Sequence, residues 1–508
     1  MTSYDRTLHV REEFRGSLDD FVNIMDLLVS PGMMSASHGE LEIAIETGTR
    51  KLALKLMQAN LDARKCAERK VEVKGADGAI RGKIRMGCPS DLTTVFGEVV
   101  VDRFRYSAAG LSSLFPMDRE LNLPADKYSH GIRRLVAEEV AKASYDECLK
   151  SVAGRTGVAV PKRQAEELAV KAARDFDAFY ERKPVLAAAE SAEDILVLTT
   201  DMKGIVVRTE DLRPATKRAA KKKPKNRLDK RLCTGEKRER KRMATVCAAY
   251  WVSPYARNAE QVIYGPFLSG LKPVDPPRAR NKRVYASIAK DPIVAIEELF
   301  REATRRDPNR RHRWVMLIDG DRTQIRRVEA CAQKFGVDDL IIVQDFIHVL
   351  EYLWKAVTRF HDAGTKAAQT WVQDHGLRIL RGEASGVAAG IKRSATRRGL
   401  ASSVRKAVDT CANYLLKNKA RLRYDRAMEA GLPIATGVIE GACRHIVKDR
   451  MDITGARWSL TGAEAVLRLR SLRSSGDFDE YWHFHLAQEH RRNHLDLYAD
   501  SVQVLEAA

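Results

Sequence analysis

From Glu40 to Lys70 the apolar residues Leu41, Ile45, Leu52, Leu56 and Leu61 recur at helical spacing beneath a charged outer face. They predict an amphipathic helix suited to packing or to a dimer surface. The rhythm then changes. Between Leu92 and Tyr106 the alternation in TTVFGEVVVDRFRY, broken at Gly97, predicts a β-hairpin. From Ser129 to Tyr180 the helical period returns, and SYDECLKSVAGRTGVAVPKRQAEELAVKAA reads as a helix, a short turn at Gly154 to Gly157 and a second helix opening near Pro161.

Past an acidic connector near Arg182 to Glu193 the texture alternates. ILVLTTD is an apolar strand ending in Asp201, MATVCAAYWV (Met243 to Val252) a second and QVIYGPF (Gln261 to Phe267) a third. An amphipathic helix over Asp291 to Arg305 leads to a fourth strand, WVMLIDGD (Trp314 to Asp321). A helix from about Gln324 to Phe335 leads to a fifth, LIIVQDF (Leu340 to Phe346). The order β-β-β-α-β-α-β is that of an RNase H-like mixed five-stranded sheet with the first strand central, an α/β fold. The expected regions are a mainly helical part with the hairpin (1–128), a helix-turn-helix-like part (129–185), the first part of the core (194–346), a helical insertion (347–430), the remainder of the core (431–475) and a basic C-terminal helix (476–508).

Charge sharpens this picture. Lys+Arg 88 against Asp+Glu 68 leave a formal +20, which favours a polyanionic partner, nucleic acid being the usual one. Between Arg213 and Arg242 fifteen Lys/Arg, among them Lys221, Lys222 and Lys223, face three acids, so 15 − 3 = +12 sits in one segment that cannot bury a core. In the helix-turn-helix reading Lys162, Arg163 and Gln164 open the second helix and meet base edges or phosphates; the alternative is an ordinary helical hairpin with solvated polar residues. The eight cysteines form no C-x-x-C pair, which argues against a zinc ribbon or disulfide scaffold. No run of about 18 apolar residues occurs, so no membrane association is expected, and a cytoplasmic, nucleoid-associated location is.

Cleaving a phosphodiester requires an activated attacking oxygen and a neutralised leaving oxygen, which two divalent ions about 3.5 to 4 Å apart supply. Hard ions such as Mg²⁺ need converging carboxylates rather than His or Cys. Asp201 and Asp319 end strands that neighbour each other in this fold. Glu440 follows in ATGVIEGACRHIVKDRM, a helix entered through Gly437, with Arg444 and Lys448 at i+4 and i+8 in line with it.

These residues carry a resemblance. LNLPADKYSHGIRRLVAEE, TTDMKG, LIDGDRTQI, DFIHVLEYLW, GVIEGACRHIVKDRM with TGARWS, and YWHFHLAQEHRRNH resemble bacterial insertion-sequence transposases of the ISKra type, within the class with a DDE catalytic triad. The resemblance covers nearly the whole chain. It implies Asp201, Asp319 and Glu440 as ligands of two Mg²⁺ ions, with Mn²⁺ as a substitute, and double-stranded DNA at element ends and target as substrate. It also implies a homo-oligomer on DNA and supporting roles for Asp345 and His348 near the centre. The chain departs from the pattern at Asp321, which puts a second acid two positions from Asp319; because alternate residues of a strand share a face, Asp321 could be an auxiliary metal ligand or stand in for Asp319, and motif position favours Asp319. Arg457 and Trp458 could grip a phosphate and stack on a base, or Trp458 could be core. His490 and His494 have two-His spacing without the Glu of H-E-x-x-H, and their helix reads as a surface for DNA or a partner subunit. Competing functions are an RNase H-like nuclease that cuts without joining, and a catalytically dead helix-turn-helix regulator.

Overall fold

A computed structural model describes residues 11–184, 191–222, 241–265, 276–453 and 456–499. The chain divides into two units, Met1–Glu181 with Phe478–Ala508, and Arg182–Asp477.

In the first unit the helix His38–Ala67 starts at a reciprocal capping box between Ser37 and Glu40, which satisfies two orphan N–H groups at once. The antiparallel hairpin of β1 (Lys83–Thr94) and β2 (Gly97–Ser107) turns at Gly97. Its φ of 138° lies where only glycine rests without strain. Leu61 of the helix joins Leu92, Val99 and Val101 of the hairpin in a buried cluster. The expected two-helix element is part of a three-helix cluster: His130–Val140, Tyr145–Thr156 and Lys162–Ala172 bury Ile132, Val136, Cys148, Val152, Ala165 and Leu168 together. Gly157, at φ 69°, ends the middle helix, three residues beyond the predicted start of the turn. The C-terminal helix Phe478–Asn493 folds into this unit and buries Tyr481, Trp482, His485 and Glu489; that side of it is core, not a free surface.

In the second unit five strands form one mixed sheet, β3 (Ile195–Val206), β4 (Lys241–Val252), β5 (Arg280–Ser287), β6 (Arg313–Ile318) and β7 (Ile341–Gln344). The order is β5-β4-β3-β6-β7, with β3 central, antiparallel to β4 and parallel to β6. Uninterrupted apolar runs such as ILVL and VMLI belong to strands covered on both faces. Alternation still sorts them: Ile195, Val197, Val315, Leu317 and Val343 share a core with the insertion helices Phe346–Val357, Lys366–Leu380, Ala384–Arg397 and Ser402–Asn418.

Two predictions in this unit are corrected. Ala259–Tyr264 is a short helix, because Asn258 and Gln261 form a capping box across its first turn, so QVIYGPF is not the third strand. The third strand is RNKRVYAS, an edge strand whose first half is charged and only partly buried. Its outer N–H groups are met by one face of the helix Leu460–Ser475. Val284 N–H donates to Ser475 Oγ at 3.0 Å, Ala286 N–H to Ser471 Oγ at 3.2 Å, and Ile288 and Ala289 N–H to the buried Glu464 carboxylate at 2.9 and 3.0 Å. Covering an edge in this way blocks further strand pairing.

Candidate active site

The parallel register explains how distant acids meet. Thr199 of β3 is level with Leu317 of β6, and Ile318 with Gln344 of β7. Two residues beyond the first pair stand Asp201 and Asp319, and one beyond the second stand Asp319 and Asp345. Three acids therefore occupy one row, Asp319 and Asp345 just past the carboxyl ends of β6 and β7 and Asp201 level with them in β3, and open α/β sheets characteristically place their sites at such strand ends. β3 itself does not end at Asp201, as its sequence suggests, but runs on to Val206 against β4.

Each acid is held differently. Asp201, half-buried, accepts the Cys443 thiol at 3.1 Å. Burial pushes the Asp319 carboxyl up; a hydrogen bond from Asp321 N–H opposes this, and the nearby charge of Asp201 adds to it. Asp321 is exposed and caps the helix Arg322–Lys334, accepting from Thr323 and Gln324 N–H at 2.9 Å each. Strand alternation does not relate it to Asp319, since β6 stops at Ile318. Asp345 is buried, caps the helix Phe346–Val357 and accepts the Thr436 hydroxyl; burial raises its carboxyl.

After the insertion the chain returns beside β7, where Phe346 N–H donates to Ile434 O at 2.9 Å. This delivers Glu440, in the helix Gly437–Ala442, to the row. Its carboxyl is raised by burial and then by the charges of Asp345, Glu351 and Asp201, while His348 opposes them. His348 lies 3.6 Å from Glu351.

The segment after Glu440 is not one regular helix. Cys443–Lys448 forms a π-helical turn, whose wider i→i+5 winding departs from the α-helical spacing expected for Arg444 and Lys448. Arg444 is exposed and lies 3.9 Å from Asp449. Arg470 braces the turn, donating to Ile446 O at 2.8 Å and to His445 O, and His445 meets Ser474 Oγ at 2.7 Å.

Trp458 is 7 % exposed, donates to Met451 O at 3.1 Å and lies under Arg450. It is core, which removes the base-stacking role. Arg457 is exposed. Lys162 and Arg163 are exposed on the first turn of their helix and paired with Asp146 and Glu167 at 3.0 and 3.3 Å, with Gln164 half-buried beside them. The side chains of Lys221, Lys222 and Lys223 lie outside the described residues. His490 and His494 bond to the backbone oxygens of Arg119 and Leu123 at 2.8 and 2.7 Å, leaving their pair uncommitted to metal.

Sequence reasoning missed Glu351, Cys443 and Thr436. Glu351 alone left a signal, one turn beyond His348 on the face that begins with Asp345.

Among the described residues, Asp175, His485 and Glu489 of the first unit offer three ligand atoms within 4.8 Å of one another. That group already holds cations: Asp175 meets Arg492 at 2.9 Å, and Glu489 meets Arg133 at 2.9 Å and Arg492 at 3.4 Å. It serves as a buried charge network. The carboxyls of Asp319 and Glu440 are instead pushed up first by burial and then by neighbouring acids, Asp201 among them, and a divalent cation relieves such crowding of acids.

No family model matches the chain, and no curated protein matches it. Among solved structures, the Drosophila P element transposase strand transfer complex is similar at 9 % identity over 72 % of this chain and 81 % of that chain. The TM-score is 0.21, too low to establish a fold. No helix among the described residues is long and apolar enough to cross a membrane.

Proposed function

We propose that this chain is a DNA transposase with an RNase H-like core, cutting and joining DNA by metal-dependent phosphoryl transfer at the terminal inverted repeats of an insertion sequence. The observation that supports it most is the row of Asp201 in β3 with Asp319 and Asp345 just past the ends of the adjacent parallel strands β6 and β7, with Glu440 brought within range of the charges of Asp345 and Asp201. Asp201, Asp319 and Glu440 would hold two Mg²⁺ ions, which when bound supply a nucleophilic oxygen and neutralise the leaving one. Asp319 is favoured over Asp321, whose carboxylate is committed to a helix cap. Asp345 and Thr436 orient the returning segment, and His348 tempers the charge around Glu440. Lys162, Arg163 and Gln164 engage the duplex with the basic segment, and a homo-oligomer pairs the two ends.

The test is Mg²⁺-dependent cleavage and joining of a labelled terminal-repeat duplex. Asp319→Asn is expected to abolish both while Asp321→Asn retains them; the reverse moves the second ligand by two residues. Cutting without joining would make the protein a nuclease. Specific binding with no cutting under Mg²⁺ or Mn²⁺ would leave a DNA-binding regulator.

A further inference from the structure

Two clefts flank the insertion helices Phe346–Val357 and Ser402–Asn418, and the side chains of Tyr352 and Thr410 line both. The first, of about 520 Å³, is bounded by Gly320, the residue after Asp319, and carries Arg322, Arg326, Lys417 and Arg421. One acid, Glu329, lines it and pairs with Arg421 at 2.6 Å, so 4 − 1 leaves a surplus of three positive charges. The second, of about 600 Å³, is lined by Trp354, Lys355 and Arg359 and by one acid, Glu351, which pairs with Lys355 at 3.4 Å.

Arg322 and Arg326 stand one helical turn apart, where like charges repel. Trp354 keeps 44 % of its surface exposed, although burial of such a ring is strongly favourable. Cations in excess along one wall and an exposed aromatic in the adjoining cleft are what an unpaired nucleic-acid strand requires, phosphates lying on the cations and bases on the ring. The wall is tied to the acids. Tyr352 stacks on Tyr414 at 3.9 Å, and Tyr414 Oη donates to the backbone oxygen of Asp319 at 2.9 Å.

We propose that the two clefts form one track for an unpaired DNA strand beside the acid row, with its phosphates along Arg322, Arg326 and Lys417 and a base on Trp354. The identity of the polymer rests on the transposase reading. The track is independent of catalysis, so it is tested in EDTA with a labelled single-stranded oligonucleotide titrated against salt. The full chain is compared with R322A/R326A/K417A, with W354F and W354A, and with K366A/R393A/R397A, which removes three exposed cations that line neither cleft.

Losing three phosphate contacts lowers the slope of log affinity against log salt by about 2 and the affinity at 0.15 M salt by roughly 50-fold. W354A weakens binding by roughly 5- to 100-fold, and W354F loses the quenching of tryptophan fluorescence on binding while retaining most affinity. The K366A/R393A/R397A variant keeps the wild-type slope. Equal slopes in both triple variants, or undiminished quenching in W354F, overturn the track. So does displacement of the oligonucleotide by a free nucleoside triphosphate at equal phosphate concentration, which would assign the clefts to a small ligand. A wild type that binds through the track but never cuts DNA sinks the transposase reading alone; one that cuts and joins while every variant binds normally sinks the track alone.

Discussion

Replacing Arg470 by Met tests whether the π-helical turn after Glu440 is held from outside. The guanidinium gives charge-assisted hydrogen bonds to the His445 and Ile446 carbonyls, each worth ~1.5–3 kcal/mol. Against this, burial and then the Arg450 charge hold Arg470 down at about 10. Keeping a half-buried group charged under those conditions costs ~2 kcal/mol once solvent screening is allowed for. The net loss expected for Arg470→Met is therefore ~2 kcal/mol, or roughly a 30-fold fall in local protection. Amide hydrogen exchange over residues 443–452 reads it directly, since wholesale unfolding of a two-unit chain need not be two-state. With the turn free to relax into regular helix, Glu440 rotates away from the acid row, and DNA cleavage falls at least tenfold at unchanged DNA affinity. Arg470→Lys, a single point charge in place of a fork, recovers only part. If Arg470→Met leaves both protection and cleavage intact, the turn is set by its own sequence and the bracing argument is wrong.

Without metal, Asp319→Asn raises the melting temperature by relieving a carboxylate that burial and Asp201 disfavour, whereas Asp321→Ala lowers stability by ~1 kcal/mol through loss of its helix cap; calorimetry in EDTA separates them. Gly320→Ala is destabilising by ~2 kcal/mol or more, because φ is +93° and the added methyl runs into the Gln344 side-chain amide, and urea unfolding checks it. In the first unit burial, then Arg133, holds His130 down at about 4. The unfolded chain therefore takes up a proton below pH 6.5 that the folded chain refuses, so this stability is present above pH 6.5 and lost as pH falls towards 4. About 2 kcal/mol is expected across that window after screening, and His130→Gln flattens the profile of denaturant midpoint against pH.

Much of the second unit is legible because its central strands are covered on both faces: ILVL, VMLI and IIV stand out as apolar runs between helical periods. β5 does not, since half of an edge strand needs no apolar side chain and RNKR resembles loop. The stretch after Arg257 misleads for a local reason. Apolar Val262, Ile263 and Tyr264 suggest a strand, but the Asn258–Gln261 cap starts a helix first. At the site, the level placement of Asp201 and Asp319 follows once strand order is recognised, because a parallel register preserves the offset. The π-helical turn left no trace in CRHIVK, since the groups that stabilise it are Arg470 and Ser474, more than twenty residues later. Burial of Trp458 likewise depends on Arg450 and on the backbone beside Val207, which local pattern does not contain.

The helical insertion also imposes an order in time. One face of the sheet shares its core with residues as late as Ile434, so that face of the strands, complete by Gln344, is still uncovered when they leave the ribosome. At ~5–20 residues per second the gap between the synthesis of β3 and that of Ile434 lasts roughly ten to fifty seconds. Through that interval the nascent chain carries a broad apolar sheet face. A chain truncated within the insertion is therefore expected to aggregate rather than to form a smaller working core, because the sheet face that residues up to Ile434 cover stays exposed.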